Sequence, residues 1–279
     1  MVNREDVRVC VLRIEGTNCE DETFSAFANL GAAPEKVHLK QLSGDSSGSL
    51  RRSLEEYHIL ALPGGFSSGD YVRAGAIFAA RMKSSIENDL IEFVEAGKPV
   101  IGICNGFQIL VELGLLPAMD EVMSKEPQMA LSTNESGRYE CIPTFLKHEN
   151  NGNCIFTKGL ERRQVVMFPS AHAEGNLKFP QGREREFIER LEENDQIVFK
   201  YVDDHGKYAG YPWNPNGSLD NIAGICNPQG NVLGLMPHPE RVFNRFTHPD
   251  WTLDKRDPLG PGDGRTIFES ALTHINDRQ

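Results

Sequence analysis

Apolar positions along the chain fall into two rhythms. Residues 7–12 and 59–62 are short apolar runs, and Lys98-Pro99-Val100-Ile101 opens a third. Their length and β-branched content predict strands, and 59–62, apolar throughout, has the pattern of a strand buried on both faces. Between them the spacing is helical. After Gly16, Thr17 or Asn18 is placed to cap a helix with acids in its first turn, running through Ala26, Phe27 and Leu30 to Gly31. Residues 74–96 predict a long helix closed by Gly97, and 108–113 the opening of another. Residues 36–42 alternate and predict a strand, 43–49 a polar loop, and 50–57 a short helix.

The stretch 119–195 is less regular. It carries candidate strands at 139–146 and 164–168 and a charged surface helix at 183–193. A strand follows at 197–202. Residues 221–226 and 232–236 flank Asn227-Pro228-Gln229-Gly230-Asn231, the pattern of an antiparallel hairpin. Residues 241–264, rich in Pro, Asp and Gly, predict irregular chain. A last amphipathic helix carries Ile267, Phe268, Ala271, Leu272 and Ile275. The β-α-β-α alternation predicts an α/β fold with right-handed crossovers: a mostly parallel sheet, helices on both faces, and the hairpin in the C-terminal half. With no repeat, low-complexity tract or linker, residues 1–279 are expected to form a single domain.

Composition narrows the function classes. A net charge of -11 with no basic run argues against a nucleic-acid or anionic-membrane surface. No apolar stretch reaches the length of a membrane span, and the first residues lack a signal peptide's apolar region, so a cytoplasmic location is expected. Cys10, Cys19, Cys104, Cys141, Cys154 and Cys226 include no C-x-x-C pair, and are read as free cytosolic thiols rather than zinc ligands or a redox couple.

Chemistry concentrates at Gly102-Ile103-Cys104-Asn105-Gly106-Phe107-Gln108. A cysteine between strand and helix, with glycines two residues to either side, has the layout of a nucleophile elbow. A helix N-terminus favours the thiolate form of a cysteine placed there, and the N–H of Asn105 can face a developing oxyanion. A bare G-x-C-x-G also describes a buried cysteine at a tight turn. A second segment tips the balance. In Met236-Pro237-His238-Pro239-Glu240-Arg241 the prolines press their preceding residues into extended geometry, which would project His238 and Glu240 to one side. That pair supplies a base and the carboxylate that orients it. Pro63-Gly64-Gly65-Phe66 falls at the carboxyl end of a strand, where such sheets bind ligands, and can lend a second N–H to an oxyanion hole. His172-Ala173-Glu174 matches half of a zinc deaminase signature, but the P-C-x-x-C half is missing. The glycines of 64–69 fit neither a dinucleotide fingerprint nor a P-loop.

Taken together, Cys104 in its elbow, the Pro-Gly-Gly-Phe loop and the His-Pro-Glu triplet resemble the class I glutamine amidotransferases, the triad glutaminases. Within them, residues 16–19, 63–70, 102–110 and the long run 214–241 look like the glutaminase subunits of phosphoribosylformylglycinamidine synthase, and 136–139 and 172–175 also fit. Residues 241–264 fit this pattern less well. The resemblance implies a flavodoxin-like three-layer fold and L-glutamine as substrate. It implies Cys104, His238 and Glu240 as triad, Gly65 and Asn105 at the oxyanion hole, and Gly64, Phe66 and Gln108 on the substrate. His172 and Glu174 are expected in the glutamine pocket or at a partner face, with Asn134, Ser136 and Arg138 lining the same region. No metal or cofactor is expected in this chain. ATP and Mg are expected on a partner synthetase subunit, which a small bridging subunit would accompany. The competing readings are an amidotransferase for another acceptor, a cysteine peptidase, a silent interaction subunit of the same fold, and a dinucleotide-binding module.

Overall fold

The computed structural model describes residues 3–44, 48–253 and 257–277, so the expected loop at 43–49 lies partly outside the described residues. In chain order the elements are β1 (Arg8–Arg13), α1 (Glu20–Ala28), β2 (Ala33–His38), α2 (Leu39–Leu42), β3 (Ile59–Leu62), α3 (Ala76–Glu95), β4 (Val100–Ile103) and α4 (Asn105–Leu113). Then come β5 (Ala130–Thr133), β6 (Glu140–His148), β7 (Val165–His172), β8 (Glu174–Lys178), α5 (Glu184–Glu193), β9 (Ile197–Val202), β10 (Ile222–Cys226), β11 (Val232–Leu235) and α6 (Arg265–Asp277).

Nine strands form one sheet in the order β2-β1-β3-β4-β11-β10-β9-β6-β7. From β2 to β11 every pairing is parallel; from β11 to β7 every pairing is antiparallel, so only β10 and β6 run against the rest. The chain steps from β1 to one side and from β3 to the other. Right-handed crossovers therefore place α1 and α3 on opposite faces. α4 packs beside α3, and α6 beside α1, where Phe27 and Phe268 meet edge to face at 5.2 Å. β3, β4, β10 and β11 are buried along their whole length, as strands covered on both faces must be.

Three local expectations need correction. The strand expected at 36–42 runs instead over Ala33–His38, and Leu39–Leu42 turn into a helix. His38 and Gln41 form a capping box there, and Leu39 and Leu42 bury at helical spacing. Neither Thr17 nor Asn18 caps α1. Cys19 holds that position, while Thr17 Oγ1 accepts from Ile14 N–H. The short helix expected at 50–57 is reduced to single 3-10 turns at Gly48–Leu50 and Leu54–Glu56. A separate two-stranded sheet, β5 with β8, was not foreshadowed by any periodicity. The region 241–264 is irregular where described, pinned by an Asn244–Pro261 bridge. Among the described residues no helix is long and apolar enough to cross a membrane. All six cysteines are free.

Candidate active site

The parallel half of the sheet presents its strand ends to a cavity of about 320 Å³ lined by Cys19, Gly65, Phe66, Asp70, Cys104, Gln108, His172, Glu174, His238 and Arg241, among others. Cys104 stands between β4 and α4 with φ 52° and ψ -106°, a backbone conformation that non-glycine residues rarely adopt. The glycines around it explain why the turn closes. A Cβ on Gly106 would lie 1.9 Å from the Leu62 carbonyl oxygen, and one on Gly102 would lie 2.5 Å from that of Gly106. β4, α4 and β3 touch backbone to backbone, and the cysteine side chain is driven outward into the cavity.

His238 follows β11, the neighbour of β4, and is extended (φ -103°, ψ 93°). Its N–H donates to Pro169 O at 2.8 Å, which ties it to β7. Glu240 is not in extended chain as expected: it sits in a 3-10 turn over Pro239–Val242. The turn, not a strand alternation, brings its carboxylate to the ring, with Glu240 Oε1 2.5 Å from His238 Nδ1. Both side chains are almost completely buried. Burial pushes the imidazole towards the neutral form. The Glu240 carboxylate and the neighbouring Cys104 and Cys19 sulfurs overcome it, so the His238 pKa is raised well above its ordinary value.

Of the two expected oxyanion donors, Gly65 lines the cavity and Asn105 opens α4 directly after Cys104. Phe66 N–H donates to Gly16 O and Asn18 N–H to Gly64 O, so Gly65 is the unbonded member of that bridge and its own N–H turns away from residues 16–18. Asn105 is the first residue of α4, and its N–H is one of the helix's free donors. The Asn105 side chain had not been assigned a part. Its Oδ1 accepts from Ser67 N–H at 3.3 Å, and its Nδ2 donates to Gln108 Oε1 at 2.9 Å and Asp70 Oδ1 at 3.5 Å. It fastens the 65–70 loop to the elbow helix.

The remaining candidates spread around this centre. Gly64 lies behind the cavity wall: a Cβ there would meet His238 Cε1 at 2.8 Å. Phe66 is half exposed at the rim, its ring 6.2 Å from that of Tyr139. Gln108 lines the cavity, but its amide is committed at both ends, with Nε2 donating to Glu174 O at 2.5 Å. Glu174 Oε2 accepts from Ala74 N–H at 3.1 Å. His172 is buried, held by Asn134 at 3.2 Å, and burial with His238 nearby lowers its pKa to about 3, so it stays neutral. Ser136 and Arg138 line a different cavity, with Tyr211 and Asn214. Asp70, Cys19 and Arg241 were not singled out as site residues, although all three fall in stretches that carried the resemblance. Burial, then the charge of Glu174, raises Asp70 to about 6.

A cysteine on a strained elbow and a buried His–Glu pair beside it are groups that can perform acyl transfer with a thiol nucleophile. The model of the CobB/CobQ-like glutamine amidotransferase domain matches residues 6–275. The chain is 54% identical to phosphoribosylformylglycinamidine synthase subunit PurQ of Archaeoglobus fulgidus over 277 residues, 98% of this chain and 99% of the relative. It is 45% identical to the PurQ subunit of Picrophilus torridus over 236 residues, 85% of this chain and 87% of the relative. Among solved structures it is similar to PurLQS from Thermotoga maritima, with a TM-score of 0.70 and 32% identity, covering 97% of this chain and 99% of that one. The chain belongs to this glutamine amidotransferase family, among the PurQ subunits.

Proposed function

We propose that the chain hydrolyses L-glutamine to glutamate and ammonia, with Cys104, His238 and Glu240 as the triad, and passes the ammonia to a synthetase that forms formylglycinamidine ribonucleotide. The observation that carries this reading is the buried His238 Nδ1 to Glu240 Oε1 contact at 2.5 Å beside the Cys104 elbow. Cys104 Sγ attacks the side-chain carboxamide carbon. The tetrahedral oxyanion is met by the N–H groups of Gly65 and Asn105, an arrangement in which one donor contributes roughly 3 kcal/mol. His238 gives its proton to the departing ammonia, leaving a thioester, and then takes a proton from the water that hydrolyses it. Glu240 holds the ring's tautomer throughout. Gly64, Phe66, Gln108, His172 and Glu174 shape the glutamine pocket, Gln108 and Gly64 by holding its walls.

Ammonia set free in water at neutral pH is mostly protonated and no longer a nucleophile, so a partner must collect it. The PurLQS assembly of the Thermotoga relative supports a synthetase and a small bridging subunit as partners. ATP and Mg belong, in this reading, to the synthetase, and the chain works in the cytoplasm as one amidotransferase domain without a cofactor of its own.

The test is glutamate release from glutamine, with asparagine as control, in the presence and absence of the synthetase. Glutamine-specific hydrolysis that rises with the partner is expected; none under any condition, with the fold intact, would leave the silent-subunit reading. Cys104→Ala should abolish glutamine-dependent synthesis by the reconstituted complex and spare ammonia-dependent synthesis.

A further inference from the structure

The triad has a buried neighbour that the mechanism above leaves unused. Cys19 Sγ, a nitrogen of His238 and a carboxylate oxygen of Glu240 all lie within 4.8 Å of one another. Cys19 is 2% exposed. Its backbone is fixed from both sides: its N–H donates to Gly64 O at 3.1 Å, and its carbonyl accepts from Thr23 N–H and Thr23 Oγ1 as α1 begins. The sulfur accepts from Arg241 Nη2 at 3.2 Å. Arg241 itself follows Glu240 in the same 3-10 turn. One side of the sulfur is thus gripped by a guanidinium from the triad's own turn, and the other meets the triad imidazole. His238 Nε2, by contrast, is buried without a hydrogen bond of ordinary geometry. Nδ1 carries the ring's strong contact, and the Cys19 and Cys104 sulfurs bear on the ring as well, where a support limits pivoting about that contact.

We propose that Cys19 is a positioning residue for the glutaminase reaction: locked between Arg241 and the start of α1, its sulfur forms the stop against which the His238 ring rests so that the ring faces Cys104. A metal seated on the same atoms is the poorer reading, because Glu240 is spent on His238 Nδ1 and a cation would have to share Cys19 with Arg241. A cysteine suits the role as a compact, polarisable side chain that accepts weakly from the guanidinium and still packs against the ring. The titratable groups around His238 are Cys19 from the α1 entry, Cys104 from the elbow, Glu240 and Arg241 from its own turn, His172 from β7, and Tyr139. Among them Cys19 and Cys104 join Glu240 in favouring the doubly protonated ring.

The inference rests on the triad assignment, and the experiment separates the two. Cys19→Ala, Cys19→Ser and Arg241→Met are assayed in the complete complex with the synthetase. In Cys19→Ala kcat for glutamine should fall roughly tenfold while KM stays within about twofold, the signature of a misaligned reacting group rather than lost binding. The basic limb of kcat/KM should move to lower pH by about half a unit, because one group favouring the charged ring is gone. Cys19→Ser, which keeps an acceptor for Arg241, should recover most of both effects. Arg241→Met, which frees the sulfur, should repeat them if Cys19→Ala does not fold. Ammonia-dependent synthesis is the control for assembly. The pH dependence of iodoacetamide labelling at the Cys104 peptide, read by mass spectrometry, reports the Cys104–His238 pairing without glutamine. A wild-type complex inactive on glutamine refutes the glutaminase reading, and the labelling profile still decides this one. Unchanged kcat, limb and labelling in Cys19→Ala, or a change confined to KM, would overturn it.

Discussion

Gly64→Ala isolates how closely the base must be placed. The backbone of Gly64 lies outside the left-handed region, so alanine brings no conformational strain and the added methyl acts alone. That methyl would stand 2.8 Å from His238 Cε1, 3.3 Å from Cys19 Sγ and 3.4 Å from Cys104 Cβ. Ordinary contact begins near 3.4 Å, so the imidazole must retreat by about 0.6 Å. It cannot swing freely, because Nδ1 is fixed to Glu240 at 2.5 Å and the backbone N–H to Pro169. A displacement of about 1 Å costs on the order of 10²-fold in rate, so kcat for glutamine hydrolysis should drop roughly 10- to 100-fold. Overpacking at this site should cost about 1–3 kcal/mol of stability, leaving the chain folded. The assay is steady-state glutamate release by the complex, with ammonia-dependent synthesis as reference and a thermal melt alongside. A variant that melts near wild type and keeps kcat within a factor of two would refute the claim that Gly64 is there to admit the ring.

Asn105→Ala should free the 65–70 loop from α4 and lower kcat/KM for glutamine by about 10²-fold through the oxyanion donor at Gly65, with α4 itself intact by circular dichroism. Glu240→Gln keeps a hydrogen-bonding group opposite Nδ1 but removes the charge that raises the His238 pKa. Its basic limb should move to lower pH and its kcat fall, as read from a pH–rate profile. Asp70→Asn should raise stability. The carboxyl group has its folded pKa raised to about 6 against 3.8 unfolded, so its penalty is complete above pH 6 and gone below pH 3.8. After allowance for solvent at this half-buried group, urea melts should give a gain of about 1–2 kcal/mol at pH 7.5 and none near pH 3.5.

The elbow was legible because its constraints are local: glycines at 102 and 106 are the residues a backbone-to-backbone approach demands, and they announce themselves whatever the tertiary context. His238 and Glu240 were legible as a pair, but the reason offered was wrong in its second half. Proline after His238 extends that residue and also starts a 3-10 turn, and it is the turn that aims Glu240. The β2 error has a similar origin. Val37 and Leu39 are buried two apart, which reads as strand, while Leu39 and Leu42 bury three apart in the helix that follows. β5 and β8 left no trace because neither alternates; they pair with each other at the cavity's edge and are held by partners distant in sequence. Cys19, Arg241 and Asp70 escaped notice for a different reason. A cysteine after a turn, an arginine after a glutamate and an aspartate after a glycine each look ordinary until folding stacks them around one imidazole or one carboxylate.

The sheet changes character at β11, parallel on one side and antiparallel on the other. Cys104 follows β4 on the parallel side, while His238 arrives after β11 and is pinned to β7 at the far antiparallel edge. A chain emerging during synthesis therefore holds Cys104 long before it holds His238. Such long-range pairing is slow to form. On the proposed triad, ammonia release becomes a certificate of completed folding: a half-made molecule holds a cysteine with no proton carrier, and glutamine is safe from it until the last strand of the seam has zipped into place.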